Sequence, residues 1–120
     1  MKLLTGKIAR FIFALPFAIF GIFHFMNASE MEGMIEKWPM AEMFIYLSGV
    51  GLMAAALAII LNKSVRLASL LLAVLLFIIF LAVHLPNLGD PATMQSAMTN
   101  ALKDLGLIGG ALILAGISDN

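Results

Sequence analysis

A chain of 120 residues that is 62% hydrophobic and only 12% charged has too little interior to hide its apolar surface as a soluble domain. A bilayer removes the difficulty, because lipid accepts the side chains that water rejects. The absence of cysteine excludes thiol–disulfide chemistry, cysteine nucleophiles and thiolate metal sites, and basic residues too few to form a patch give nothing that points to nucleic acid.

The first apolar run, about Ile8–Met26, is long enough to cross roughly 30 Å of hydrocarbon as a helix. Lys2 and Lys7 precede it as in a signal peptide, but it lacks a small-x-small cleavage site and reads as retained. Arg10 lies close enough to its start to snorkel outward, Ala14, Ala18 and Gly21 make a small-residue stripe, and Pro16 should kink it. The connection that follows carries a capping box, Ser29 to Glu32. Met31, Met34, Ile35 and Trp38 then recur at helical spacing up to Pro39, which predicts a short amphipathic helix lying on the membrane face.

The second and third runs, about Met43–Leu61 and Val65–Leu85, are joined by the tight basic turn Asn62-Lys63-Ser64 and form an antiparallel pair. Asp90-Pro91 predicts the N-cap and first residue of a second short outer helix, with Met94, Met98 and Ala101 as its apolar stripe. The last run, about Leu102–Ile117, is nearer the lower length limit and carries the GxxxG pair Gly106 and Gly110. Lys103 and Asp104 at its start read as an outer-surface ion pair, and no acidic residue lies deep within any run.

On four crossings Lys2, Lys7, Arg10, Lys63 and Arg66 share one side, and only Lys37 and Lys103 fall on the other. The positive-inside rule then places both termini in the cytoplasm, as for a protein of a bacterial-type inner membrane. Arg10 and Arg66 could bind lipid phosphate there, or simply anchor helix ends.

Shifting the chain against itself by about 60 residues aligns its halves without gaps. Leu15 then meets Leu75, Phe17 meets Phe77, Ile19 meets Ile79, Phe20 meets Phe80, His24 meets His84 and Asn27 meets Asn87. Farther on, Gly49 meets Gly109, Leu52 meets Leu112 and Ala55 meets Ala115. Apolar matches are cheap here; the histidines are not, because the chain has only two and each is followed three residues later by asparagine. The expected architecture is an all-α, four-transmembrane-helix bundle in one domain over 1–120. It is made of two tandem helical-hairpin repeats, about 5–61 and 65–117, with short amphipathic outer helices. An even number of helices separates the copies, so their pseudo-twofold axis should run along the membrane normal.

The chain resembles DoxX-like membrane proteins over nearly its whole length. The residues that carry the likeness are Arg10, the segment Gly21-Ile22-Phe23-His24-Phe25, Asn27, Pro39, Gly49-Val50-Gly51, Arg66 and Leu102 through Ala111. The resemblance implies a four-helix membrane fold. It also implies association with quinol-oxidising systems or membrane oxidoreductase assemblies, and it carries over no catalytic residue.

Two readings of the histidines compete. His24 and His84 could face each other across the pseudo-axis and, as neutral imidazoles, ligate a metal, clamp a haem or hydrogen-bond a quinone with help from Asn27 and Asn87. On the plainer reading each bonds to a helix end, its asparagine or water, and there is no cofactor. The corresponding functions are a cofactor-binding oxidoreductase subunit, and a protein that is no enzyme on its own but joins a larger membrane complex or homo-oligomer. Proton-coupled export in the manner of small multidrug transporters is disfavoured by the lack of a deep carboxylate. A four-helix thiol oxidase fails for want of cysteine.

Overall fold

The computed structural model describes residues 3–27, 40–84 and 86–120, with the side chains from 83 to 87 outside that description. Helix α1 (Ala9–Met26) continues a π-helical turn at Leu4–Ile8; α2 spans Ala41–Ile60; α3 (Val65–Ile79) runs into a second π turn at Phe80–His84; α4 spans Met94–Ile117. All four are long and apolar enough to cross a membrane. The molecule is 44 Å along its longest axis, about the thickness of a bilayer with its headgroups. The amphipathic helix expected around Ser29–Trp38 lies outside the described residues.

Neighbours in sequence pack side by side, α1 on α2, α2 on α3 and α3 on α4. The ring is closed by side chains between α1 and α4. A Cβ placed on Gly110 would stand 3.2 Å from the ring of Phe13, and Lys103 Nζ sits 5.6 Å from the centre of the Phe20 ring. The core is continuous through the four helices, with Ala14 and Phe17, Leu52 and Ile59, Val65 and Leu72, and Ala111 all buried. Large apolar side chains such as Ile12, Leu47, Leu71 and Ile113 point outward, as lipid-facing residues must.

The turn between α2 and α3 explains its own sequence. Asn62 takes a left-handed conformation (φ 58°), Lys63 N–H donates to Ala58 O and Asn62 N–H to Ile59 O. This is a Schellman termination, and asparagine tolerates the left-handed position well. Beyond it Arg66 donates from Nε to Ala115 O and from Nη2 to Ser118 O at 2.6 Å, capping the C-terminal carbonyls of α4. Of the two roles open to Arg66, the structure shows the anchoring one.

Two expectations about α4 change. The segment from Met94 is no separate outer helix but the first turns of α4 itself, because Asp90 closes a turn instead of starting a helix. Asp90 Oδ1 accepts from Ala92 N–H and Asp90 O from Thr93 N–H, so the helix begins only after Thr93. The GxxxG pair brings no backbones together either: Gly110 admits the Phe13 ring, and a Cβ on Gly106 meets nothing within 4 Å. The buried stripe of α4 consists of Ala97, Ala101, Asp104, Ala111 and Ala115.

Close backbone approach occurs instead where α1 crosses α2. A Cβ on Gly21 would run into the Met53 side chain and stand 2.9 Å from Gly49 O; one on Gly49 would be 3.0 Å from His24 Cβ. Either Gly21→Ala or Gly49→Ala should therefore cost about 1–3 kcal/mol through forced separation of the helices. Gly106→Ala should be neutral or stabilising by up to about 1 kcal/mol from helix propensity. Reversible unfolding of the three variants in mixed micelles checks the contrast, and equal effects at all three sites would refute the crossing as the tight contact.

Candidate functional site

His24 stands on the last full turn of α1 and is half-buried. Its Nδ1 lies 2.6 Å from Phe20 O, four residues back. A carbonyl oxygen only accepts, so Nδ1 carries the proton, and in the neutral ring Nε2 is left as an acceptor. The histidine bonds its own helix here and not Asn27, whose backbone N–H closes α1 on Phe23 O at 2.8 Å. Beside His24, Phe25 stacks on Tyr46 of α2 with ring centres 5.9 Å apart.

His84 ends the π turn that finishes α3, and Asn87 lies in a 3₁₀ turn at Pro86–Gly89; the side chains of both are outside the described residues. The helices of the two histidines, α1 and α3, are one of the two diagonal pairs of the ring. Among the described residues no three His, Asp or Glu side chains gather in a metal-holding group.

The residue that reasoning from sequence missed is Asp104. With α4 beginning at Met94, it lies ten residues inside the helix, and only 5% of its surface is exposed. The acid-free reading of the spans thus fails for α4. The cause is the longer helix: Gln95, Ser96, Thr99 and Asn100 break the apolar run without breaking the hydrogen-bonded helix. Asp104 is buried and does not lie on the surface. It shares the buried stripe with the alanines, while Lys103, on the exposed side, reaches over Phe20. A signal was present, since Ala97, Ala101, Asp104, Ile108, Ala111 and Ala115 recur at steps of three and four.

A buried carboxylate in a membrane helix is costly unless satisfied, and its usual reason is function. Phe20 and Lys103 mark the level of Asp104 on α1, and His24 stands one helical turn beyond Phe20. Along the bundle, a hydrogen-bond acceptor (His24 Nε2), a cation (Lys103) and a carboxyl group (Asp104) therefore stand within one to two helical turns of one level.

Asp104→Ala should destabilise the bundle by about 1–3 kcal/mol by stranding the groups that face it, with Asp104→Asn milder. Lys103→Met, which keeps the stem over Phe20, should change stability by less than about 1 kcal/mol. Denaturation in micelles tests the ordering, and an Asp104→Ala protein as stable as the parent would show that the carboxylate has no structural role.

A family model described as DoxX matches residues 7–85, about two thirds of the chain, from the approach to α1 through the end of the π turn at His84. No curated protein and no solved structure matches it.

Proposed function

The chain belongs to the DoxX family, and from that premise we propose that it is a non-catalytic subunit that docks on a partner in a larger, redox-linked membrane assembly. One observation carries the reading. Between α2 and α3, on the side turned away from α1 and α4, lies an apolar groove of about 490 Å³. Its floor holds Ser48, Gly51, Ala54 and Ala58, and Leu67 and Leu71 form a wall. Small residues in a lipid-facing groove let a second helix approach closely, which is how helices associate where burial from water supplies no force. The occupant proposed is one transmembrane helix of a partner subunit.

The membrane is taken to be a bacterial-type inner membrane, with the basic end (Lys7, Arg10, Lys63 and Arg66) in the cytoplasm. The duplicated hairpin, with repeats at about 5–61 and 65–117, belongs to the same proposal. It is supported by the packing of α1 on α2 and of α3 on α4 as the two most extensive helix contacts.

A second reading is favoured by His24. With Nδ1 held by Phe20 O, Nε2 is the acceptor of the neutral ring and could take a hydrogen bond from a quinol hydroxyl, and the His24, Asn27, His84 and Asn87 set would form the headgroup site. Haem and metal ligation by the same histidines are weaker versions of it.

Native gel electrophoresis of solubilised membranes tests the docking reading. The parent chain should run in an assembly well above its own 12.9 kDa, and the double substitution Ala54→Phe with Ala58→Phe should release it. Leu112→Phe, exposed on α4, should not. A complex containing only this chain would assign the groove to a second copy and sink the partner-subunit idea. For the second reading, solvent extraction of purified protein should yield quinone near one per chain, lost in His24→Ala; none in the parent would end it.

A further inference from the structure

At the basic end of the bundle, α1, α4 and the turn between α2 and α3 enclose a cleft of about 430 Å³, and Arg10 is on its wall. The guanidinium runs back along the π turn that precedes α1, with Nη1 lying 3.9 Å from where a Cβ on Gly6 would be, an ordinary van der Waals contact. Arg10 Nε is buried and has no hydrogen-bond partner. A cation inside a membrane-crossing helix, with one of its donors unpartnered, is costly without a counter-charge. The other arginine of this end is already used, since Arg66 caps α4.

The cleft is amphipathic along its length. Toward the helix ends it is lined by the polar side chains of Thr5 and Asn62; farther in its walls are Phe13, Ile113 and Leu114. A bare anion would use only the first part. Asp119 also lines the cleft, and its negative charge opposes a doubly charged phosphate more than a singly charged phosphodiester.

We propose that this cleft binds the phosphodiester of an anionic phospholipid, with Arg10 as its guanidinium clamp and an acyl chain along Ile113 and Leu114. Arginine suits the task because its planar fork can give a phosphate two parallel hydrogen bonds. The site is at the opposite end of the bundle from His24 and Asp104 and does not depend on the docking groove.

The test is thermal unfolding of the full chain in a non-ionic detergent with added dihexanoyl phosphatidylglycerol, dihexanoyl phosphatidylcholine or inorganic phosphate. Phosphatidylglycerol should raise the midpoint by about 5 °C at saturation, phosphatidylcholine by less than half of that, and inorganic phosphate by nothing measurable. Arg10→Gln should abolish the difference between the lipids. Lys7→Gln should keep it, because Lys7 is exposed and not on the cleft wall. If Arg10→Gln does not fold, Ile113→Trp gives the reading, since it fills the apolar part and leaves the arginine; it should also lose the response. The proposal is overturned if Arg10→Gln or Ile113→Trp responds like the parent, if Lys7→Gln loses as much as Arg10→Gln, or if inorganic phosphate alone reproduces the shift.

Discussion

Four helices surrounded by hydrocarbon cannot be held together by expelling water from between them. Association must come from close packing and from polar contacts that lipid cannot replace. The crossing of Gly21 over Gly49 is where this constraint is met most fully. Each lacks the one carbon that would push the backbones apart, and His24, Phe25 and Met53 fill the space around them. The position of His24 is a consequence of that crossing: its Cβ lies against Gly49, so the imidazole is set by helix packing before any ligand is considered.

The polar contacts sit at two levels. At the basic end Arg66 ties the start of α3 to the last carbonyls of α4, Arg66 N–H donates to Asn120 O, and Asn120 Nδ2 donates to Asn62 O. Ten residues in from its start, α4 carries Asp104 into the stripe by which it is buried. Helix α4 is thus held at its C-terminal end and partway along its length by groups whose loss would leave partners stranded in a medium of low dielectric. Its middle needs only alanines and the Phe13 ring.

How much could be read beforehand follows from whether a property belongs to one segment or to two. Crossing a bilayer depends on the hydropathy of a segment alone, and the runs Met43–Leu61 and Val65–Leu85 fall within two residues of α2 and of α3 with its π turn. Which small residues meet depends on two helices at once. Nothing in the strings around Gly21 and Gly106 distinguished the glycine under a neighbouring backbone from the one beside open space. Asp104 was hidden for a third reason: a helix continues while its own hydrogen bonds are made, whether or not its side chains stay apolar. The repeat singles out His24; the tautomer that makes Nε2 the acceptor comes from a backbone oxygen and could not be read from residue types.

Between the two polar levels stands a column of rings. Phe13 and Phe17 meet edge to face with centres 5.2 Å apart, Phe17 and Phe20 at 6.4 Å, and Phe17 is wholly buried. Ten residues of helix, about 15 Å, separate Arg10 from Phe20, the level at which Lys103 and Asp104 stand. An ion or proton moving from one end to the other would have to pass this packed aromatic segment without polar relays from α1. The buried carboxylate removes the ground on which proton-coupled export was disfavoured. The aromatic column thus divides the polar groups of the bundle into two sets, Arg10 with its neighbours at the basic end and Lys103 with Asp104 at a level ten residues farther along α1.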